Sequence, residues 1–241
     1  MGSMREQMLL AVEVDETVGF RAFEEKGYTQ GFKRIAGIDE VGRGPLAGPV
    51  IAAAVVLRPE FTNPEIKDSK LLSVKQREIL APLIQENAAD CAIGIVGVDE
   101  IDRLNIHQAS LLAMVKAIAG MALKPDYMLI DGNQSIPAHL FRVAEFSPGI
   151  KIYQKTIIKG DRLCLSIAAA SVVAKVARDA IMLEYDKQYP EYGFAQHKGY
   201  GCEEHLDALR RYGPSPIHRQ SFKPVREASP QQKNYGPLFE P

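Results

Sequence analysis

Four acidic residues carry the chemistry that this sequence could do. Asp39 and Glu40 stand side by side at the end of an apolar run, Ile35-Ala-Gly-Ile-Asp-Glu40. Neighbouring residues of a strand face opposite sides, so one of the pair falls on a face where a bare carboxylate is costly. Asp131 closes a second apolar run, Tyr127-Met-Leu-Ile-Asp131, with Gly132 directly after it. Acids at the ends of neighbouring sheet strands converge, and an oxygen-rich point of that kind suits Mg2+ or Mn2+. Asp161, in Lys159-Gly-Asp161, follows a further strand-like run and completes the set. Each acid also has a plainer reading. Asp39 and Glu40 could be a strand end reaching solvent with Arg43 as ion-pair partner, Asp131 the first residue of a turn, and Asp161 a helix cap. Together the four favour metal. Asp179 competes for the fourth place, but it lies well inside a helix beside Lys175 and Arg178, where a surface ion pair accounts for it. No His/Cys cluster has zinc spacing, so the expected site is all oxygen.

These acids need elements to hold them. Residues 34–38 and 48–57 read as strands, the second an almost unbroken apolar run of the kind buried on both faces. A turn at 42–48 with Pro45 separates them. Ser73 with Gln76 three positions on is a capping-box pattern, so a helix is expected from there to about Asn87. Residues 91–98, 126–130 and 151–158 read as strands. Residues 105–123 show Leu111, Val115, Ile118 and Ala122 at helical spacing. The run 163–189 is helical and rich in Ala and Ser at its start, and small residues let a helix axis approach a sheet. Phe20, Phe23 and Tyr28 suit one face of a short helix. The proline-rich stretch past Tyr212 is expected to lie extended over the surface. Strands in a hairpin followed by strand–helix crossovers imply an α/β fold, a mixed sheet with helices packed on it.

Composition sets outer bounds. With 241 residues, 46% hydrophobic and 24% charged, the chain suits one globular domain, and no apolar run is long enough to span a bilayer. Gly2-Ser3 ahead of Met4 looks like a cloning remnant. The expected division is 1–33 (remnant plus a short helical segment), 34–226 (catalytic domain) and 227–241 (extended tail). The 3 cysteines, Cys91, Cys164 and Cys202, fit neither a disulfide framework nor a CxxC site, so a cytoplasmic location is expected. A net charge of -1 excludes a uniformly basic surface but allows a local basic groove.

An ordered set of motifs resembles the ribonuclease HII family, from about residue 34 to residue 225. The set is Gly37-Ile-Asp-Glu-Val-Gly-Arg-Gly-Pro-Leu-Ala-Gly-Pro49, Asp68-Ser-Lys70, Ile130-Asp-Gly132, Lys159-Gly-Asp161, Ser166-Ile-Ala-Ala-Ala-Ser-Val-Val-Ala-Lys-Val-Ala-Arg-Asp179 and His197-Lys-Gly-Tyr200. The resemblance implies a ribonuclease H-like mixed sheet flanked by helices, with a helical C-terminal region. It places the metal-site acids on Asp39, Glu40, Asp131 and Asp161, with two Mg2+ or Mn2+ ions. It implies that Gly42-Arg43-Gly44 reads the ribose 2′-OH through its backbone, the one group that separates RNA from DNA. Tyr200 resembles a tyrosine that recognises the RNA-to-DNA junction from the other side. Lys70, Ser166, Ser171 and Lys175 resemble contacts to the nucleic-acid backbone, although a capped or solvated face explains the last three as well. His107 and His197 have no defensible catalytic partner, and His139, His205 and His218 read as structural or solvated.

The implied reaction is in-line attack of water on a phosphodiester, with two ions about 3.5–4 Å apart. It cuts on the 5′ side of a ribonucleotide, in RNA/DNA hybrids or singly embedded in duplex DNA, and leaves 3′-OH and 5′-phosphate. That activity belongs to ribonucleotide excision repair, and a monomer is expected. A ribonuclease HIII-like nuclease is the nearest alternative. That family carries a sizeable N-terminal substrate-binding domain and lacks the Gly-Arg-Gly form of the loop. A non-catalytic nucleic-acid-binding module is the other alternative. Clustered carboxylates argue against it, because binding a polyanion gains nothing from them.

Overall fold

A computed structural model of the chain describes residues 19–144 and 152–228. Its centre is a five-stranded sheet. The strands are β1 (Ile35–Val41), β2 (Val50–Leu57), β3 (Ala88–Val96), β4 (Tyr127–Asp131) and β5 (Tyr153–Ile157). Their order is β3-β2-β1-β4-β5. β1 pairs antiparallel with β2 and parallel with β4, which makes the sheet mixed, as expected. The parallel register sets Ile38 against Ile130, so Asp39 and Asp131, one step further on each strand, come side by side where the pairing of β1 with β4 stops.

The helices in chain order are α1 (Ala22–Thr29), α2 (Val74–Asn87), α3 (Val98–Leu104), α4 (Ile106–Gly120), α5 (Ala138–Val143), α6 (Gly160–Leu163), α7 (Leu165–Gln188), α8 (Phe194–His197), α9 (Glu203–Tyr212) and α10 (Lys223–Ala228). β2 shows why its sequence is apolar throughout. Val50, Ala52 and Ala54 meet Leu112, Val115 and Ile118 of α4 on one face. Ile51, Ala53 and Val55 meet Ile84 of α2 and Ala169, Val172 and Val173 of α7 on the other. Both faces are covered, so no polar alternation is possible.

The small residues at the start of α7 do let it press onto the sheet. A Cβ on Gly37 of β1 would lie 2.1 Å from the carbonyl carbon of Ser166, so only glycine permits this approach. α2 begins as its sequence indicates. Ser73 caps it, and Gln76 returns a hydrogen bond to the Ser73 N–H in a complete capping box. Phe23 of α1 is buried beside Tyr127 and Ile157.

One helix goes beyond the expectation, and one expectation fails. The helix expected over 105–123 is α4 (Ile106–Gly120), and α3 stands before it, set apart because Asn105 takes a left-handed φ of 68° between the two. Its side chain accepts the His107 and Gln108 N–H groups and starts α4 afresh. The stretch past Tyr212 is not laid over the surface within residues 213–228. Ser215, Ile217, His218, Arg219 and Val225 are buried there, and α10 follows. This segment packs with Leu46, Met182, Tyr192, Phe194 and Leu209 into a small core of its own, the helical C-terminal region. The cloning remnant, and the tail from 229 onward, lie outside the described residues.

Candidate active site

Asp39 is 6% exposed at the end of β1, and its Oδ1 accepts the Glu40 N–H at 2.8 Å. Glu40, the next residue along the strand, pairs with Arg43 at 3.3 Å, the ion pair that its plainer reading expects. Asp131 Oδ1 accepts the Gly160 N–H at 2.7 Å. That bond draws in the turn before α6, which carries Asp161 in its first turn; Lys159, not Asp161, is the residue that precedes the helix. Lys70 Nζ stands 3.7 Å from Asp161 Oδ2 on an otherwise exposed side chain.

The acids feel one another. Burial raises the Asp39 carboxyl well above the usual range, and the charges of Glu40, Asp131 and Asp161 push it further, against a hydrogen bond from Ser171. Burial also raises Glu40, with Asp131 adding to the effect and Arg43 opposing it. Asp161 is raised by burial, then by Asp131 and Asp68, with Lys70 and Arg162 opposing. Lys70 is raised despite its partial burial, because Asp161, Asp68, Asp39 and Asp131 all surround it. Negative charge therefore outweighs the cations beside it.

This surplus is the test of whether a divalent cation fits. Every donor is an oxygen, the preference of a hard ion. Among the described residues no three ligand-type side chains close on one point. Four like charges spread apart unless something positive holds them, and Mg2+ keeps several waters and needs only one or two carboxylates. The residues fit. A cleft of about 140 Å³ opens beside them, lined by Glu40, Arg43, His107, Asp131, Asn133 and Gln134.

The neighbouring loop is shaped for close approach. Gly42 has a φ of 95°, and a Cβ there would lie 2.4 Å from Arg178 Nε, so glycine is required on both counts. Gly44 is exposed and lies against the Tyr200 ring, whose Cε1 would be 3.4 Å from a Cβ at that position. Tyr200 itself is 47% exposed. The structure thus gathers Asp39, Glu40, Asp131, Asp161, Lys70, Gly42, Arg43, Gly44 and Tyr200 along one side of the molecule.

Ser166 does not join them. It is fully buried behind Gly37, with its N–H given to Glu24 at 2.7 Å, so it has no face open to nucleic acid. Ser171 is also buried, bonded to Ser69 at 2.9 Å, and supports Asp39 from beneath. Asp179 is not a surface ion pair: it is mostly buried between Lys175 at 2.7 Å and Arg77 at 3.7 Å, which also occupies Lys175. His205 and His218 are buried and bonded to each other, Nε2 to Nε2, at 2.9 Å. His197 is bonded to the Tyr192 carbonyl and the Gly199 N–H.

Sequence reasoning missed three supports. Asp68 accepts the Lys70 N–H and the Arg162 guanidinium at 3.0 Å, tying the lysine and the Asp161 turn together. Burial works against its charge, but these bonds outweigh burial and hold its carboxyl below the usual range. The spacing Asp68-Ser-Lys70 was the available signal. Arg178 and Arg219, both fully buried behind the glycine loop, are the other two.

The sequence profile of the Ribonuclease HII family matches residues 36–225. A ribonuclease HII of Syntrophotalea carbinolica is 49% identical over 91% of this chain and 99% of its own length. Another, of Syntrophobacter fumaroxidans, is 54% identical over 85% of this chain and 82% of its own. Among solved structures, the ribonuclease H2 of Pyrococcus horikoshii superposes with a TM-score of 0.68 at 26% identity, covering 84% of this chain and all of that one. An RNase HII of Archaeoglobus fulgidus, seen in complex with PCNA, gives 0.59 at 26% identity over 75% of this chain and 88% of that one. On this profile match and these relatives, the chain belongs to the ribonuclease HII family and is a ribonuclease H-type nuclease.

Proposed function

We propose that this nuclease cuts the phosphodiester on the 5′ side of ribonucleotides, in RNA/DNA hybrids and singly embedded in duplex DNA, leaving 3′-OH and 5′-phosphate. The observation that carries the reading is the placement of Gly42-Arg43-Gly44 directly between the acids and the Tyr200 ring. A ribose seated on that loop has its phosphodiester beside Asp39, Glu40, Asp131 and Asp161.

Divalent cations, two in this reading and Mg2+ or Mn2+ by the donor set, supply Lewis acidity and neutralise charge on the phosphodiester. The chain does the rest. Asp39 and Asp131 hold fixed positions on neighbouring strands just past their last paired residues, Ile38 and Ile130, and Asp161 is delivered by the turn that Asp131 anchors. Arg43 keeps Glu40 turned to the cleft side. Lys70, exposed beside Asp161, faces the substrate backbone and offsets its charge. The loop offers backbone donors to the 2′-OH, and the Tyr200 ring packs on the next sugar. Among the described residues no helix is long and apolar enough to cross a membrane, and a role in ribonucleotide excision repair follows from the substrate.

The test is a DNA duplex holding one ribonucleotide, incubated with and without Mg2+. Metal-dependent cutting just 5′ of the ribonucleotide is expected. Equal cutting of an all-DNA duplex, or undiminished cutting in EDTA, would sink the reading.

A further inference from the structure

Two arginines lie fully buried behind the glycine loop, and no carboxylate of the described residues stands within ion-pair distance of either. Arg219 gives Nη2 to the Gly42 carbonyl at 2.5 Å, Nη1 to the Arg43 carbonyl at 3.0 Å, and Nε to the Gly48 carbonyl at 3.0 Å. Arg178 gives Nε to Pro49, Nη2 to Ala47 and Nη1 to Lys198, at 3.1, 3.1 and 3.0 Å. Between them they hold the main chain at both ends of the turn and the strand of chain that carries Tyr200. The same segments are stitched by Leu46 N–H to Gly199 carbonyl and Arg219 N–H to Leu46 carbonyl, at 2.8 and 2.9 Å.

Buried charge of this kind is an expensive way to fill space. Burial lowers both guanidinium pKa values, and Arg219, further opposed by the charge of Arg178, falls to about 9. A well-packed apolar side chain would serve a purely structural role at less cost. What an apolar side chain lacks is a fork of donors that can dictate which way several carbonyls face.

The direction matters because a peptide is planar and trans, so its C=O and N–H point opposite ways. With the Gly42 and Arg43 carbonyls turned inward to Arg219, the Arg43 and Gly44 N–H groups must turn outward. Both residues are exposed, and among the described residues neither N–H has a backbone or side-chain acceptor. They are adjacent, pre-aimed and free, with two positive charges behind them.

We infer that Arg219 and Arg178 are positioning residues for ribose recognition: Arg219 aims the Arg43 and Gly44 N–H donors at the sugar, and Arg178 fixes the Tyr200 segment against them. The inference rests on the reading of the loop given above. The substrate's phosphate backbone would supply the anion that the buried pair lacks.

The test measures the affinity of R219K and R178K for two duplexes in Ca2+, one all DNA and one with a single ribonucleotide. Melting temperature and Mg2+-dependent kcat and KM are followed alongside. The native protein must prefer the ribonucleotide duplex; if it does not, the loop reading itself fails and the arginines are not at issue. If it does, R219K is expected to lose at least tenfold of that preference while its affinity for plain DNA holds, since lysine keeps the charge but not the fork. R178K is expected to lose part of it, with KM rising more than kcat falls. Retained preference in the folded variants, with losses only in melting temperature, would overturn the inference. Should R219K not fold, R178K and its KM-against-kcat split decide alone.

Discussion

Asp131 and Gly160 are joined by a single 2.7 Å hydrogen bond, so the acid that ends β4 also sets the turn that presents Asp161. One carboxylate therefore does two jobs, and its charge and its shape can be separated. Asp131→Asn keeps an oxygen for the Gly160 N–H but removes the charge that raises Asp39 and Asp161. Cleavage should fall by at least a hundredfold, with folding and most DNA affinity intact. In EDTA the variant should melt higher, by about 2–4 °C for each kcal/mol of repulsion relieved. Near-normal turnover removes Asp131 from the site.

Tyr200→Ala tests the other wall of the groove. The ring is half exposed and lies on Gly44, so its loss should weaken recognition of the sugar following the ribonucleotide. Cutting at a lone ribonucleotide should drop by about 1–3 kcal/mol, roughly ten- to a hundredfold, and cutting of an all-RNA strand paired to DNA should drop less. An equal drop in kcat/KM on both substrates means the ring is not a junction reader.

The buried histidine pair gives the fold a pH limit. His205 Nδ1 donates to the Tyr200 carbonyl, so its Nε2 accepts from His218, whose Nδ1 in turn accepts the Ser215 N–H. Both rings are neutral, and protonating either sets N–H against N–H. Burial lowers His205 to about 4, and burial with the neighbouring His205 lowers His218 to about 3. Both folded values lie below the unfolded value of about 6.5, so the unfolded chain binds more protons in that window. Stability is complete above about pH 6.5 and erodes toward pH 4, by up to about 1.4 kcal/mol per pH unit for each ring. Urea midpoints at pH 7.5, 6 and 4.5 should follow that slope, and His218→Asn should flatten it. An identical slope in the variant would show that other groups set the limit.

Gly37→Ala probes the contact between α7 and the sheet. The added carbon would fall 2.1 Å from backbone, which has no flexible end to move aside. A loss of about 1–3 kcal/mol is expected, read by denaturant titration. Activity of the folded fraction should fall too, because shifting α7 moves Ser171 from beneath Asp39. Unchanged stability would mean that α7 can ride outward freely.

Much of this was legible in the residues, and the exceptions have physical causes. The Ser73–Gln76 cap and the apolar runs of β2 and β4 are local signals, and local bonds realise them. Asp39 and Asp131 stood out because each follows an apolar strand run, and the pairing of β1 with β4 does bring those runs together. Ser166 was misplaced because a serine at the start of a helix looks the same whether it faces solvent or a glycine on the next strand. The chain past Tyr212 was misjudged through its prolines, which forbid regular hydrogen bonding but not burial. Arg178 stood in a quoted motif but read only as a neighbour of Asp179, and Arg219 left no trace, since the acceptors of both are main-chain carbonyls, which every residue has.

Arg219 also places the glycine loop in time. The ribosome completes the sheet and all four acids well before it adds the residue that turns the Gly42 and Arg43 carbonyls inward. On the function proposed above, a nascent chain that has reached Tyr212 holds all four acids but not the residue that turns the loop carbonyls inward. The same holds for a finished molecule nicked by a protease just past Tyr212, whose β-sheet would survive while the loop came loose. On that reading, fidelity toward ribose would be the last property this chain acquires and the first it would lose.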